Sequence, residues 1–370
     1  MKTTDLSILT CLECRGDISF QRGVVTESII DHGILECSKC GTLYPVIDTV
    51  AIMFKKEIAL LHLCDDELNF LRTHGYEECI PAAFDVEEEY LKQVEVASNW
   101  EYQWTKQYNY SNEDFSKNYF LSEEMFYEFI PLSYSDVFDK DVCIICSGKG
   151  REAHNILLRK PARVVCCEIG SEIYQTRHVV ANKDLVLIKS DAMDIPLKDN
   201  AMGLVLCDHA LQHVLDHRRA YSEMSRVASP HGVVCINVYS LENNFIMTKL
   251  VDPSKFIIHK LPLSFINYLS ILPAILVYIA IYCLYVPANK ISKKVASFLP
   301  LNDHMIYWSK YNSFKTIWTW CFDLIHAPIS YHFSKDEVMA LAFENNLKLR
   351  FVENIHGTTW TTIAEKYSPS

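Results

Sequence analysis

Basic residues are outnumbered by acidic ones in this sequence. Lysine and arginine together number 35 against 46 aspartate and glutamate residues, which gives a formal net charge of −11 at pH 7 and a pI of about 5.7. Proteins that bind nucleic acid normally show a basic stripe or a surplus of positive charge. The composition therefore argues against a general nucleic-acid-binding surface and against an RNA substrate.

The sequence also lacks an apolar leader, an internal repeat and a low-complexity tract. Asp5, Cys11 and Glu13 interrupt the first 20 residues, so we expect no secretory signal peptide. Of the 14 cysteines, many lie in apolar runs, where a thiol acts as a small hydrophobic group. These are Cys143, Cys166, Cys167, Cys207 and Cys235. Such usage favours a reducing cytoplasm over a disulfide framework, and 370 residues favour two or three domains.

Two Cys-x-x-Cys pairs lie near the N-terminus. Cys11 and Cys14 form the first pair, Cys37 and Cys40 form the second, and 22 residues separate them. Two thiolates at this spacing can face one ion, and four complete the tetrahedron of a structural zinc site. Four unrelated cysteines would not explain two pairs, and a redox role would need only one. We expect these four residues to hold a zinc ion that stabilises a segment too short for a large core.

The stretch 142–239 alternates apolar runs with turns and helix-like patterns. Its first apolar run breaks into Ser147-Gly148-Lys149-Gly150, and its second ends on Glu168, 18 residues beyond Gly150. A nucleotide-binding βαβ unit places its ribose-binding acid at about this spacing. Two later apolar runs end at Asp191 and Asp208. Because ligands bind beyond the carboxyl ends of parallel strands, we expect these acids to meet at one crevice.

This order of motifs resembles the class I S-adenosylmethionine-dependent methyltransferases. Gly232, Pro196, Asp191, Leu211 and His213 fall where the motifs of that family place the same residue types. The resemblance implies an α/β fold with a doubly wound, Rossmann-like methyltransferase sheet, and S-adenosylmethionine as the cofactor. The cofactor-binding residues it implies are Cys146, Ser147, Gly148, Gly150, Glu168, Ile169, Asp191, Ala192 and Asp208.

The resemblance also implies individual roles within that set. Glu168 would accept from the ribose hydroxyls, and Asp191 with the Ala192 backbone would bind the adenine amino group. Asp208 would lie at the rim of the cofactor or the substrate, or would instead cap the following helix.

Three positions depart from the family pattern. Ile144 and Cys146 stand where an acid and a glycine are usual, and Met202-Gly203 replaces the usual Phe-Asp. Two functions therefore stay open. The first is an enzyme that methylates a small or lipid-linked acceptor, and the second is a non-catalytic scaffold or regulator with a methyltransferase fold.

Candidate catalytic residues lie just past the strand that ends at Asp208. Methyl transfer is an in-line displacement, so a base is needed only if the acceptor is a hydroxyl or an amine. His209 and His213 are the candidates for that base. A histidine at such a position is more often a packing residue at the start of a helix, and that alternative stays open.

The segments around the cysteine pairs resemble the small zinc-ribbon proteins that activate methyltransferases, on Leu9-Thr10-Cys11 and on residues 40–48. In that family the ribbon is a scaffold. The expected organisation is a zinc ribbon over 1–55, an acidic helical linker over 56–138, a methyltransferase domain over 139–240 and 332–370, and a helical insertion over 241–331.

Two features are predicted within the linker and the C-terminal segment. The linker acids, including Asp65-Asp66-Glu67, are interpreted as a solvated helix face, and Trp100 and Trp104 as packing anchors or as rings that close over adenosine or substrate. A helix over 334–345, begun by a capping box, and strands over 347–352 and 358–365 should complete the sheet.

Residues 261–289 carry no charge, and lysines flank them on both sides. The length suggests a transmembrane helix, but strands before and after the run should share one sheet, and Pro273 divides it. We therefore expect a helical hairpin, with 261–286 lying on one leaflet at the inner face of a membrane and its lysines meeting anionic head groups. A buried lid or a homodimer interface is the alternative.

Overall fold

The computed structural model describes residues 1–83, 88–107, 112–116, 118–180, 185–311 and 313–367. Its centre is one eleven-stranded sheet in the order β1-β2-β3-β4-β7-β6-β5-β8-β9-β11-β10. The strands are β1 (Ile18–Thr26), β2 (Ile29–Cys37), β3 (Leu43–Ile47), β4 (Val50–Ile52), β5 (Asp141–Ile145), β6 (Arg163–Glu168), β7 (Leu185–Lys189), β8 (Met202–Asp208), β9 (Ala228–Tyr239), β10 (Leu347–Ile355) and β11 (Thr359–Lys366).

Helices cover both faces of this sheet. They are α1 (Lys56–Ala59), α2 (Asp65–Thr73), α3 (Glu88–Lys106), α4 (Glu123–Phe129), α5 (Tyr134–Val137), α6 (Arg151–Leu157), α7 (Thr176–Val180), α8 (His217–Val227), α9 (Asp252–Ile258), α10 (Leu263–Leu269), α11 (Ile271–Ala280), α12 (Val286–Ile291), α13 (Lys293–Ala296), α14 (Asn302–Ser309), α15 (Phe314–His326) and α16 (Lys335–Glu344). Met247–Val251 and Ile281–Tyr285 are π-helical turns.

The five central strands, β7, β6, β5, β8 and β9, run parallel to one another. Alternate residues of these strands belong to two separate cores, with Cys143 and Cys167 on one face and Ile144 and Cys166 on the other. This is the doubly wound sheet that the sequence predicts. The cysteines of the strands are buried among apolar side chains, as expected.

The C-terminal closure of the sheet also follows the prediction. Helix α16 begins with a capping box, in which Ser334 accepts from the Glu337 N–H and Glu337 accepts from the Ser334 N–H. Strand β11 then pairs antiparallel with both β9 and β10. The insertion therefore leaves and rejoins one continuous sheet.

The N-terminal segment extends the same sheet. Strands β1 to β4 form an antiparallel meander, and β4 pairs in parallel with β7 through Val50 opposite Leu187, Ala51 opposite Ile188 and Ile52 opposite Lys189. The Met53 N–H continues the ladder by donating to the Lys189 carbonyl at 2.9 Å. Residues 1–55 thus cover an edge that β7 would otherwise expose.

The uncharged run forms an almost continuous helix rather than a hairpin. One 29-residue helical stretch, Leu263–Ile291, is long and apolar enough to cross a membrane by length and composition, although such a helix alone is weak evidence of a span. The expected break at Pro273 is wrong. Pro273 is the third residue of α11, where a missing N–H costs no helical hydrogen bond, and the chain is interrupted only at Ser270.

The expectation that the linker acids are solvated is wrong for Glu67. This side chain is buried, and both of its carboxylate oxygens accept from the Lys189 ammonium at 2.8 Å. It also accepts from the Tyr174 hydroxyl at 2.8 Å. Lys189 ends β7 and is itself buried, so a helix of the linker neutralises a charge at the carboxyl edge of the sheet.

Replacing Glu67 by alanine should lower the free energy of unfolding by about 3–5 kcal/mol, because it leaves the Lys189 ammonium buried without its partner. Urea unfolding followed by circular dichroism measures the change. Asp66→Ala, on the same helical turn but exposed, is the matched control and should shift the midpoint little. A Lys189→Met change added to Glu67→Ala should restore part of the loss. Equal effects of Glu67→Ala and Asp66→Ala would contradict the role of the pair.

Candidate active site

The turn after β5 adopts left-handed backbone conformations at three positions. Cys146, Gly148 and Gly150 have φ of 54°, 50° and 90°. A Cβ on Gly150 would lie 2.7 Å from Thr176 Cγ2, and one on Gly148 would lie 3.0 Å from the Trp104 ring. A side chain at either position would therefore meet close neighbours and would also be strained by the positive φ, so glycine fits best at both. Cys146 has the left-handed conformation at a position where class I methyltransferases usually have glycine.

Glu168, at the end of β6, holds this turn in place. Its Oε2 accepts from the Gly148 N–H at 2.7 Å, and its Oε1 accepts from the N–H groups of Ile169 at 2.7 Å and Gly170 at 3.3 Å. Burial raises the pKa of Glu168, and these three N–H groups oppose that shift. The carboxylate thus joins the ends of two neighbouring strands, and it lines the cavity described below.

Asp191 and Ala192 follow β7 and lie in the same crevice. The Asp191 carboxylate is buried and accepts from the Met193 N–H at 2.8 Å. Burial raises its pKa, while the Met193 N–H and the Gln93 side chain act in the opposite direction. Gln93 comes from α3, so the linker helix covers the crevice opposite the sheet.

Asp208, at the end of β8, takes a role that the sequence did not predict. Its Oδ2 pairs with the Arg151 guanidinium at 2.5 Å, and its Oδ1 accepts from His209 Nδ1 at 2.7 Å. Although burial raises its pKa, the neighbouring His209 and Arg151 side chains leave that pKa below the ordinary value. Asp208 does not cap a helix, since Ala210 precedes the helical turn Leu211–His213.

His209 is held firmly but remains accessible. Its ring contacts Phe129 edge to face, with ring centroids 5.2 Å apart, and 29% of its side chain is exposed. Its φ of 50° is unusual for a residue with a side chain, and such strain is found preferentially at functional sites. An ionised Asp208 can only accept, so Nδ1 carries the proton and Nε2 is left as an acceptor.

His213 has a different environment. Its Nδ1 donates to the Ile329 carbonyl at 2.6 Å, and its Nε2 has no hydrogen-bond partner among the described residues. Burial lowers its pKa to about 3. Trp100 and Tyr239 contact the ring, with centroids 4.8 and 5.5 Å away. His213 is therefore neutral and only weakly basic.

A cavity of about 510 Å³ connects these residues with the insertion. Of the residues predicted to bind the cofactor or to act in catalysis, eight line it: Cys146, Glu168, Ile169, Asp191, Ala192, Asp208, His209 and His213. Ser147, Gly148 and Gly150 form the turn and are not among the lining residues. Both tryptophans of the linker, Trp100 and Trp104, belong to the wall of the cavity.

Several polar residues of the wall were not anticipated from the sequence, among them Glu172 and His304. Glu172 is buried, and burial followed by the nearby charge of Glu168 raises its pKa well above the ordinary value. His304, from α14, has its pKa lowered to about 3 by burial, and its Nδ1 contacts Thr358 Oγ1 at 3.0 Å. Neither lies in a recognisable motif, because the insertion and the turn after β6 approach each other only in the folded chain.

The four cysteines of the N-terminal segment converge at a separate place. Their sulfur atoms all lie within 4.8 Å of one another, with Cys11 and Cys40 at 3.6 Å and Cys14 and Cys37 at 3.5 Å. Tetrahedral zinc–thiolate bonds of about 2.3 Å require sulfur separations of roughly 3.8 Å, so the donor set fits zinc. A Cβ on Gly16 would lie 2.9 Å from Cys37 Sγ, which leaves glycine as the residue that fits beside the cluster. None of the four lines the cavity.

Comparison with known proteins finds similarity in the central block. Residues 145–236 match the Methyltransf_11 family model, described as a methyltransferase domain. A demethylmenaquinone methyltransferase from Staphylococcus haemolyticus (strain JCSC1435) is 33% identical over 92 residues, which cover 22% of this chain and 36% of that protein. The chain thus spans about a third of the length of that relative.

Two solved structures have low similarity to the chain. A complex between the Haloferax volcanii Trm112 methyltransferase activator and a methyltransferase has a TM-score of 0.45 and 12% identity, covering 74% of this chain and 99% of that one. An S-adenosylmethionine-dependent methyltransferase from Mesorhizobium loti has a TM-score of 0.39 and 10% identity, covering 66% and 98%.

Purified protein should contain about one zinc ion per chain, because four thiolates form a closed tetrahedral site. Elemental analysis of protein prepared without added metal measures it. Cys14→Ser and Cys37→Ser should lose the metal, whereas Cys283→Ser, which changes an exposed cysteine outside the cluster, should retain it. Less than roughly a third of an equivalent in natively folded protein would rule out the zinc site.

Proposed function

We propose, from the premise that this chain belongs to the class I S-adenosylmethionine-dependent methyltransferases, that it transfers a methyl group to an apolar, lipid-linked acceptor. The observation that carries the proposal is the cavity of about 510 Å³, which joins the crevice of the sheet to the insertion. Its crevice end has carboxylates and the two histidines His209 and His213, and its other end is lined mostly by apolar side chains. One compartment of this kind can hold a charged cofactor and an apolar acceptor side by side.

The crevice residues fit S-adenosylmethionine by their chemistry. When bound, the cofactor supplies an electrophilic methyl group on a positively charged sulfonium. Glu168, Glu172 and Asp191 surround the crevice with carboxyl groups, and a cationic ligand would stabilise their charged forms against burial. The Asp191 carboxylate with the Ala192 backbone suits an adenine. Glu168 accepts hydrogen bonds from three backbone N–H groups. It would therefore orient the turn as well as contact the ribose.

His209 is the better candidate for the base. A general base works best when the pKa of its conjugate acid lies near the working pH. The low pKa of His213, about 3, makes that residue a weak base. His209 instead has Asp208 to fix its tautomer, which leaves Nε2 to receive a proton from an acceptor hydroxyl or amine.

The rest of the wall favours an apolar acceptor. Val96 and Ala97 come from α3, Val277 from α11, and Trp308 and Trp320 from α14 and α15. Pockets that bind drug-sized ligands have volumes of about 300–1,000 Å³ and are lined mostly by apolar groups. Demethylmenaquinone, the acceptor in the name of the curated relative, is the first compound to test.

Replacing Glu168 by alanine should weaken S-adenosylmethionine binding by ~1.5–3 kcal/mol, which is the magnitude of a charge-assisted hydrogen bond. Isothermal titration calorimetry on the folded variant measures it, with thermal unfolding run in parallel. Glu353→Ala, on the exposed side of β10, is the control and should bind as the wild type does. An unchanged affinity in Glu168→Ala would mean that the cofactor lies elsewhere.

Replacing His209 by glutamine should lower kcat by about 10²–10⁴-fold without weakening cofactor binding, because it removes the base and leaves the crevice intact. The assay follows label from methyl-labelled S-adenosylmethionine into demethylmenaquinone and into a lipid extract. His231→Gln, at an exposed histidine, is the matched control. Cofactor binding by the wild type with no turnover on any lipid would favour the scaffold function instead.

A further inference from the structure

The helical stretch Leu263–Ile291 has its apolar side chains on the outside. Ile266, Ala274 and Ile281 are buried, and they recur on one side of the helix at spacings of seven and eight residues. The opposite side exposes Phe265, Tyr268, Leu269, Leu272, Ile275, Leu276 and Ile279. A surface helix of a water-soluble protein normally carries polar residues on its outer side. This one carries no charge from residue 261 to 289.

Neighbouring segments of the insertion enlarge this apolar surface. Side chains exposed before and after the helix are Phe245, Ile246, Leu250, Phe256, Ile257, Ile291, Val295 and Phe298. Together with the outer side of the helix they form what we term the docking face, within residues 245–298. Contiguous exposed apolar patches larger than a few hundred Å² mark sites that bind a partner or a membrane.

The helix is fastened to the protein along its length. Trp318 Nε1 donates to the Asn267 carbonyl at 3.0 Å and to Ser270 Oγ at 2.9 Å. Further along, the Tyr285 hydroxyl donates to the Pro300 carbonyl at 2.8 Å. Strands β9 and β11, which precede and follow the insertion in the chain, are hydrogen-bonded neighbours. A bilayer-spanning helix would have to break these contacts, so the helix can only lie along a surface.

Positive charge is concentrated around the docking face. Between residues 241 and 300 there are six lysines but only two acidic residues, in a chain whose formal net charge is −11. Lys255 is not available, because it is buried and pairs with Asp252 at 2.9 Å. The exposed lysines are Lys249, Lys260, Lys290, Lys293 and Lys294. Two copies joined through this face would bring like charges together, which disfavours a homodimer.

The cavity opens onto the docking face. Ile246 and Leu250 line the cavity and are also 46% and 69% exposed. Pro273 and Val277, from α11, line the cavity too. The mouth therefore lies between the segment that carries the π-helical turn Met247–Val251 and helix α11. An apolar molecule that enters here would contact the apolar side chains of Ile246 and Leu250.

We propose that the docking face binds the surface of an anionic lipid bilayer, with the helix in the membrane plane, and that the acceptor enters the cavity from the lipid through this mouth. The apolar side chains bury into the head-group and acyl boundary, and the exposed lysines contact anionic head groups. The membrane contact stands on its own, whereas the delivery of an acceptor rests on the proposed function.

Flotation of the full chain with vesicles tests the contact. The protein should float with phosphatidylglycerol-containing vesicles and much less with pure phosphatidylcholine, and high salt should release it. Reversing Lys260, Lys290, Lys293 and Lys294 to glutamate should lower the partition coefficient by at least ~100-fold, since each lysine near a charged surface contributes several-fold. Reversing Lys92, Lys106, Lys335 and Lys348, which are exposed elsewhere, is the matched control and should change it little.

A second variant tests the apolar part, and calorimetry separates this proposal from the proposed function. Leu272→Ser with Leu276→Ser should lower partitioning by at least ~10-fold while leaving S-adenosylmethionine affinity unchanged. If wild-type protein binds the cofactor but does not float with the vesicles, the proposed membrane contact is overturned and the proposed function is not. A dimer in solution whose dissociation follows the leucine substitutions would overturn it in favour of a second copy. Flotation without cofactor binding would overturn the proposed function and leave the membrane contact standing.

Discussion

The short parallel pairing of β4 with β7 joins the two halves of this protein. It spans Val50 to Ile52 on one strand and Leu187 to Lys189 on the other, and the Met53 N–H adds one more bond to the same ladder. An unpaired edge strand invites aggregation. Residues 1–55, which contain the cysteine cluster, cover that edge, and the strand they cover is the one that leads directly to Asp191. The N-terminal segment and the candidate site therefore share one sheet.

The candidate site depends on buried charges that neutralise one another. Arg151 pairs with both Glu152, at 2.6 Å, and Asp208, at 2.5 Å, and Asp208 in turn orients His209. Glu67 and Lys189 form a second buried pair behind the crevice. Removing one member of such a pair is costly because the other stays buried and charged. Asp208 and Lys189 lie at the ends of strands, whereas their partners Arg151 and Glu67 lie after a turn and in a helix of the linker.

Short sequence patterns predicted those parts of the fold that depend on interactions between residues close together in the sequence. The glycine turn, the acids at strand ends, the cysteine pairs and the capping box of α16 each follow from a few neighbouring residues. The pairing of β4 with β7 joins residues more than a hundred positions apart, and no local pattern encodes it. Pro273 was interpreted as a break because proline usually interrupts helices, yet in a first turn it does not. Glu67 has an ordinary surface sequence context, and only its distant partner Lys189 explains its burial.

The site itself was predictable in its position but less so in its roles. The strand-end acids do reach one crevice, as parallel strands require. His209 and His213 look equivalent in the sequence, but Asp208 contacts one and the Ile329 carbonyl contacts the other. The contact of His213 comes from the insertion, to which Ile329 belongs and whose residues approach the sheet only after folding.

The position of the cavity mouth determines which concentration of an apolar molecule sets its binding to this protein: that in the surrounding solution or that in an adjoining lipid layer. A compartment whose opening is bordered by exposed Ile246 and Leu250 exchanges its contents with whatever layer covers those side chains. Occupancy by a water-insoluble molecule is then set by its mole fraction in that layer. Diluting the surrounding solution leaves such a fraction unchanged, whereas adding inert lipid lowers it. Rates measured in detergent would accordingly follow the mole fraction of the acceptor in the micelle and would not change with the volume of the assay.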